Sequence, residues 1–319
     1  MNWNNVYNVF MNYFLKISFL SAFFLGLFIG RAFCIDIFIL SSKEIIPYNT
    51  CIEGLQESLT EYSLQLENLK GDLEKGRKIL QNIRNKTPGL FIAVGPEAAF
   101  VLSKADYLSS RIFCMVRNPV KLLGKNGVYP GVSLNIPPPS FQIKKITEAF
   151  PERKKIGIFF GSKSNQIVID TFYEEAKKQR VEVVKFPISS AKDISSVINS
   201  NQFSVDVLLI IPDEKLGKPG YTKILDYIIK ECLRKKIPVV GYNSWFAKNG
   251  ALLSFIIDYK NVGIQTAEMA KGLLQKNVLD ELQIEPPKKI KISVDLKTAK
   301  KLGVIISPGI IQQASEVIR

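Results

Sequence analysis

Val132-Ser-Leu-Asn-Ile136, Pro137-Pro-Pro139, Ser140-Phe-Gln-Ile-Lys-Lys-Ile-Thr-Glu-Ala-Phe150 and Pro151-Glu-Arg-Lys-Lys-Ile-Gly-Ile-Phe-Phe160 follow one another without interruption, and their order decides the fold. The first piece reads as a strand. Three consecutive prolines can extend neither a strand ladder nor a helix interior, so the chain must turn away there. A helix is expected over Ser140 to Phe150. After Pro151 a Lys-flanked apolar run, Ile156 to Phe160, restarts a strand–helix rhythm. The stretch therefore reads as the boundary between two α/β units.

Outward from this boundary, short apolar runs bounded by Gly, Pro, Ser or Asn recur on both sides, as buried parallel strands do. They are Ile35–Leu40, Leu64–Leu66, Leu90–Val94, Ile112–Val116, Ile156–Phe160, Val181–Phe186, Val205–Ile211 and Ile237–Tyr242. Between them lie helical stripes: Ile52, Leu55, Leu59 and Tyr62 share one face, as do Ile224, Leu225, Ile228, Ile229, Cys232 and Leu233. These stripes read as core. Thr50-x-x-Glu53 reads as a capping box that starts the first helix. The expected fold class is α/β: two similar lobes, each a parallel sheet flanked by helices.

The chain has 319 residues, 46% of them hydrophobic and 23% charged, which excludes a disordered or collagen-like chain and suffices for two lobes. It contains no histidine, so Ser-His-Asp and Cys-His catalysis are excluded and the commonest zinc ligand is missing. The net charge of +14 is spread through every segment and mixed with Glu and Asp, without the tight basic and aromatic cluster that nucleic-acid binding needs. No nucleic-acid partner is expected. Cys34, Cys51, Cys114 and Cys232 form no C-x-x-C pair, so neither a metal site nor a redox motif is expected. An exported chain allows one disulfide among Cys51, Cys114 and Cys232, and the expected positions suit packed free thiols equally well.

Neither the dinucleotide fingerprint G-x-G-x-x-G nor the phosphate loop G-x-x-x-x-G-K-[ST] occurs, and Gly124-Lys-Asn-Gly127 has the wrong spacing for either. No cofactor, no catalytic residue and no enzyme activity are expected. What remains is a set of polar residues at the carboxyl ends of the strands, where open α/β sheets bind ligands. In the first lobe these are Ser41, Ser42, Gly95, Pro96, Glu97, Arg117 and Asn118; in the second, Ser162, Asn165, Asp213 and Asn243, with Asp258 where the chain returns. Ser and Asn suit a carboxylate, and Asp213 or Asp258 suits an ammonium group. Each loop alone is also what a solvated turn looks like. Together they favour a ligand cleft between the lobes.

Residues 1–34 contain no Asp or Glu, and Ile17-Ser-Phe-Leu-Ser-Ala-Phe-Phe-Leu-Gly-Leu-Phe-Ile-Gly30 has the length of a signal-peptide core rather than a bilayer span. Export is expected, with three states open: a soluble form cut after Cys34, a lipid anchor on Cys34, or an uncleaved apolar anchor. A periplasmic or other extracytoplasmic placement follows from each. With no helix-turn-helix before residue 35, a DNA-binding regulator is not expected.

Several segments carry a resemblance to a known family: Lys154–Phe160, Ile237-Pro-Val-Val-Gly241, Asn249-Gly-Ala-Leu-Leu253, Ile257-Asp258-Tyr259, Gly263-Ile-Gln-Thr-Ala-Glu-Met-Ala270 and Val294-Asp-Leu-Lys-Thr-Ala-Lys-Lys-Leu-Gly303. Phe91-Ile-Ala-Val-Gly-Pro-Glu-Ala-Ala99 adds to it. The chain resembles the ABC-transporter substrate-binding proteins of the tryptophan/tyrosine-binding type, which have the periplasmic binding protein type I fold. The resemblance implies two lobes joined by three crossovers, closing by a hinge on a small molecule and delivering it to an ABC permease in the membrane, as a monomer. It divides the chain into a signal peptide over 1–34, a first lobe over 35–136 plus 259–290, a second over 137–258, and a terminal strand and helix near the hinge over 291–319. The crossovers are expected at Pro137–Pro139 and Leu253–Tyr259.

Two departures from the family pattern bear on the ligand. Arg117-Asn118-Pro119 stands where the family commonly has Thr-Asp-Pro, and Gly95-Pro96-Glu97 where it has Thr-Pro-Ala-Ala. An amino acid and another small carboxylate both stay open as ligands. Arg117 is expected to meet an anionic group, and Tyr48 or Tyr242 to stack on an aromatic one. The alternative role is a ligand-sensing module that passes its closed state to a membrane receptor.

Overall fold

Strand β1 (Ile37–Ser41) is buried along its whole length, and its alternation sends Ile37 and Ile39 into one apolar cluster and Phe38 and Leu40 into another. β3 (Leu90–Val94) does the same, with Leu90, Ile92 and Val94 on the first face and Phe91 and Ala93 on the second. Helices cover both faces of such a sheet, so its strands read as unbroken apolar runs. The computed structural model describes residues 36–86, 88–105, 110–134, 136–161, 163–213, 215–216, 222–276 and 283–319. The expected leader over 1–34, Cys34 included, and Ser162 lie outside the described residues.

Among the described residues, β1, β2 (Leu64–Asn68), β3, β4 (Arg111–Val116), β5 (Gly131–Ser133) and β11 (Ile284–Glu285) form a parallel sheet in the order β11-β5-β4-β3-β1-β2. Around it lie α1 (Ile46–Ser58), α2 (Leu73–Ile83), α3 (Pro96–Ser103), α4 (Pro119–Leu123) and α10 (Tyr259–Lys276). A second sheet has the order β13-β12-β10-β9-β8-β6-β7, built from β6 (Lys155–Phe160), β7 (Glu182–Pro187), β8 (Val207–Leu209), β9 (Val239–Gly241), β10 (Leu253–Ile257), β12 (Ile290–Asp295) and β13 (Glu316–Ile318). Its helices are α5 (Pro139–Ala149), α6 (Lys163–Lys178), α7 (Ala191–Asn199), α8 (Thr222–Arg234), α9 (Ser244–Lys248), α11 (Leu296–Leu302) and α12 (Pro308–Gln313). This sheet is not wholly parallel: β12 runs antiparallel to β10, and β13 follows β12.

The chain passes between the sheets through Leu134–Pro138, at Asp258, and through Pro286–Lys289, and each passage is pinned. Gln142, buried in α5, donates from Nε2 to the Pro137 carbonyl at 2.7 Å. The Asp258 N–H donates to the Lys289 carbonyl at 3.2 Å, joining the second and third passages. Gln265, buried in α10, donates to the Glu285 carboxylate and the Pro286 carbonyl and accepts from the Lys288 N–H, at 2.7, 3.1 and 3.0 Å.

The structure differs from the sequence expectations in three places. α1 begins at Ile46, four residues before Thr50, because a proline in its first turn supplies a preset φ and lacks only an N–H that would be unpaired there. Thr50 is therefore interior and caps nothing. Leu253–Ile257, expected as linker, is strand β10, and the crossing itself narrows to Asp258. Residues 290–319 leave the crossover at Ile290 and extend the second sheet, since Ile290 to Val294 pair with Ile257 to Leu253.

α10 packs on α1 through two glycines. A Cβ on Gly54 would lie 2.1 Å from the Lys260 carbonyl oxygen, and one on Gly263 would lie 2.0 Å from that of Cys51. The missing side chains let the two backbones touch. This contact positions the first turn of α10, where the chain has just crossed from the other lobe.

Candidate functional site

β4 ends irregularly. Its register with β5 shifts between Cys114 and Val116, and Met115 takes φ +60. Asn118, before α4, is also left-handed at φ +49. Two non-glycine residues in this region within four positions store roughly 1–3 kcal/mol each, and such strain together with a bulge re-aims the side chains beside it. Between them lie Val116, which is buried, and Arg117, which is exposed just past the carboxyl end of β4.

Arg117 lines a cavity of about 60 Å³ together with Leu134, Ile136 and Pro137 of the first crossing, Pro212, Tyr242 and Asn243 of the second lobe, and Ile257 and Tyr259 of the second crossing. Burial pushes the phenols of Tyr242 and Tyr259 up, and the Arg117 guanidinium opposes that rise at both. A cation thus faces two neutral hydroxyls against an apolar wall. A cavity of that size has room for a small polar group. Guanidinium and phenol O–H donors suit a carboxylate or another planar anion.

A second cluster stands at the ends of β1 and β3. Gly95, at φ +94, caps α3, and a Cβ there would come within 2.7 Å of Ser42 Oγ and 2.8 Å of the Tyr48 ring. Ser42 Oγ accepts from the Ala98 N–H at 2.9 Å, and Ser41 Oγ donates to the Lys43 carbonyl at 3.0 Å, so both hydroxyls already serve the loop. Pro96 occupies the first turn of α3. Glu97 pairs with Lys43 at 2.7 Å, while its Oε2 is buried with no hydrogen-bond partner. Burial pushes the Glu97 carboxyl up, but Lys43, the backbone and Ser42 outweigh it and hold it below the usual range. Burial, with the Glu97 charge beside it, raises Tyr48 to about 12, so it stays a neutral phenol.

In the second lobe the expected polar residues are largely spent on the fold. Asp213, buried, accepts from the Gly161 N–H, the Asn165 side chain and the Lys215 N–H at 2.9, 2.7 and 2.7 Å. Asn165 also donates to the Pro212 carbonyl. Asn243 caps α9 through Oδ1, which accepts from the Trp245 and Phe246 N–H groups. Asp258 caps α10 by accepting from the Asn261 N–H and meets Lys291 Nζ at 3.3 Å. Neither aspartate offers a free face to an ammonium group. Among the described residues, Glu97 is the carboxylate with a buried oxygen that has no hydrogen-bond partner.

The structure thus brings Arg117 and Asn243 together, gathers Ser41, Ser42, Tyr48, Gly95, Pro96 and Glu97 on the first-lobe wall, and leaves Asn165, Asp213 and Asp258 supporting loops. The sequence reading did not find Tyr259, Ile257, Leu134, Ile136 and Pro137 as lining residues. Their signal was position, since all five sit in or beside the crossovers. Among the described residues no cluster of Cys, Asp and Glu is placed to hold a metal ion, and no helix is long and apolar enough to cross a membrane.

Comparison with known proteins agrees with this fold. A family model described as ABC transporter substrate binding protein matches residues 45–318. The tyrosine-binding protein of Clostridioides difficile (strain R20291) is 23% identical over 248 residues, spanning 76% of this chain and 70% of that protein. The ligand-free, open structure of a substrate-binding protein with adhesive properties from Clostridium difficile superposes with a TM-score of 0.71 at 20% identity, over 88% of this chain and 98% of that one. The ABC domain from Streptococcus pneumonia in complex with L-Trp superposes with a TM-score of 0.58 at 20% identity, over 88% and 100%. The fold is that of the type I periplasmic binding proteins, and these relatives are substrate-binding proteins rather than enzymes. By the match that spans its two lobes, the chain belongs to the ABC transporter substrate-binding protein family.

Proposed function

We propose that this chain captures a small carboxylate-bearing molecule, an amino acid foremost, in the cleft between its lobes and delivers it to an ABC permease outside the cytoplasm. The observation that carries this reading is the cavity at the crossovers, where Arg117 of the first lobe faces Tyr242 of the second and Tyr259 at the start of α10. In this reading Arg117 takes the carboxylate, Glu97 with its unpartnered oxygen takes the ammonium group, and Tyr48 lies along an aromatic side chain. The names of the tyrosine-binding relative and of the structure holding L-Trp support an aromatic amino acid.

Capture needs no bond chemistry. A ligand that touches both lobes only when they close shifts the open–closed equilibrium by its differential affinity for the two states. Ile46 and Val120 at the starts of α1 and α4, and Ile167 near the start of α6, support closure. They are 82%, 48% and 74% exposed beside the strand ends of both lobes, where approach of the lobes would cover them.

The test is a thermal-shift and calorimetric screen against tyrosine, tryptophan, other amino acids and small carboxylates, because ligand binding to the native state raises Tm by mass action. Arg117→Ala is expected to weaken the best ligand roughly 10–100-fold, the worth of one charge-assisted hydrogen bond. No response across the panel would overturn the ligand class. A response that Arg117→Ala leaves untouched would remove Arg117 from the site.

A further inference from the structure

Cys51 in α1 and Cys114 in β4 are 63 residues apart in sequence, yet their Sγ atoms lie 3.6 Å from each other and both residues are wholly buried. They meet in the apolar cluster between α1, α10 and the first sheet, among Ile39, Val94 and Val262. Cys232 belongs to a different cluster, in the second lobe, and has no sulfur beside it among the described residues.

We propose that in the exported protein Cys51 and Cys114 are joined by a disulfide that ties α1 to β4 behind the first-lobe wall of the cleft. The sulfurs already touch, and an approach of roughly 1.5 Å brings them to the bond length of about 2.05 Å. The position gives the link a function. Cys114 immediately precedes Met115, the strained residue of the bulge beside Arg117. A covalent tie there holds β4 while the bulge stores strain.

The oxidant is a disulfide, either on an extracytoplasmic thiol oxidoreductase or on an oxidised low-molecular-weight thiol. One cysteine thiolate attacks it, releasing one thiol and forming a mixed disulfide. The second thiolate then attacks the cysteine sulfur of that mixed disulfide, closing the Cys51–Cys114 bond and releasing the second thiol. The two protein thiols lose two electrons and two protons, and the oxidant's two sulfurs take them up. Its hydrogen bond with Cys114, together with burial, pushes the Cys51 thiol well up once the core is formed, so the exchange belongs to folding, before α1 seals the pair from its oxidant.

The experiment denatures the full chain, recovered after export from a bacterial host, in an alkylating reagent without reductant, and maps its peptides by mass. The expected result is a Cys51–Cys114 cross-linked peptide with Cys232 alkylated, and a fall in Tm of roughly 5–10 °C when the native protein is reduced. Cys232→Ser should keep both. Alkylation of Cys51, Cys114 and Cys232 together, or a link through Cys232, overturns the proposal. The same map on chain refolded with oxidised glutathione separates its causes: a link formed there but absent after export rejects the compartment, and absence in both rejects the pairing.

Discussion

Replacing Gly263 with alanine tests how α10 is held. The new Cβ would lie 2.0 Å from the Cys51 carbonyl oxygen, about 1.3 Å short of an ordinary carbon–oxygen contact of about 3.3 Å. Backbone, not a flexible side chain, stands in the way, so the helices must part, and the penalty belongs at the upper end of the roughly 1–3 kcal/mol for overpacking. Alanine returns up to about 1 kcal/mol of helix propensity. The net loss is about 2 kcal/mol, a fall in Tm of roughly 4–8 °C. Gly272 in the same helix is the control, because nothing lies within 4 Å of a Cβ placed there. Gly272→Ala should gain up to about 1 kcal/mol by propensity alone. Urea unfolding and thermal melts of both variants measure the pair. Since Tyr259 opens α10, Gly263→Ala should also weaken ligand binding while Gly272→Ala leaves it intact. Equal responses of the two variants would refute the close crossing.

Two further outcomes follow from the site. Asp213→Ala strips the acceptor from Gly161, Asn165 and Lys215 and should lower unfolding free energy by roughly 2–3 kcal/mol in urea, the scale of hydrogen bonds to a charged group; an unchanged midpoint would show that the loop stands without it. The Glu97 carboxyl is held below its ordinary value in the folded state, so its stabilisation is complete above the ordinary carboxylate range and drains away as pH falls through the lowered folded value. Wild-type Tm should therefore fall more steeply towards acid than that of Glu97→Gln, and parallel curves would contradict the Lys43–Glu97 pairing.

Much of the fold was legible because its signals are local. β1 and β3 are buried on both faces, so their apolar runs could be read without knowing what covers them. β10 was harder. Leu253–Ile257 lies against the crossover, and its neighbour β12 is reached only after the chain has returned through α10 and β11, so nothing nearby in sequence marks it as a strand. The start of α1 was misjudged because Thr50-x-x-Glu53 and the upstream proline compete, and a preset backbone prevailed over a side-chain cap.

The sequence by itself determined the two α/β units, the break at Pro137–Pro139, the absence of histidine chemistry and the polar strand ends, since each depends on residues close together in the chain. Tertiary structure alone decided which of those polar groups the fold itself uses and which it leaves beside the cavity. Asp213 and Asp258 look like free acids in sequence, but a carboxylate that already accepts hydrogen bonds from its own loop has little left for a ligand. Arg117, Tyr242 and Tyr259 converge because a bulge, a strand end and a crossover meet in space, and no local pattern records that meeting.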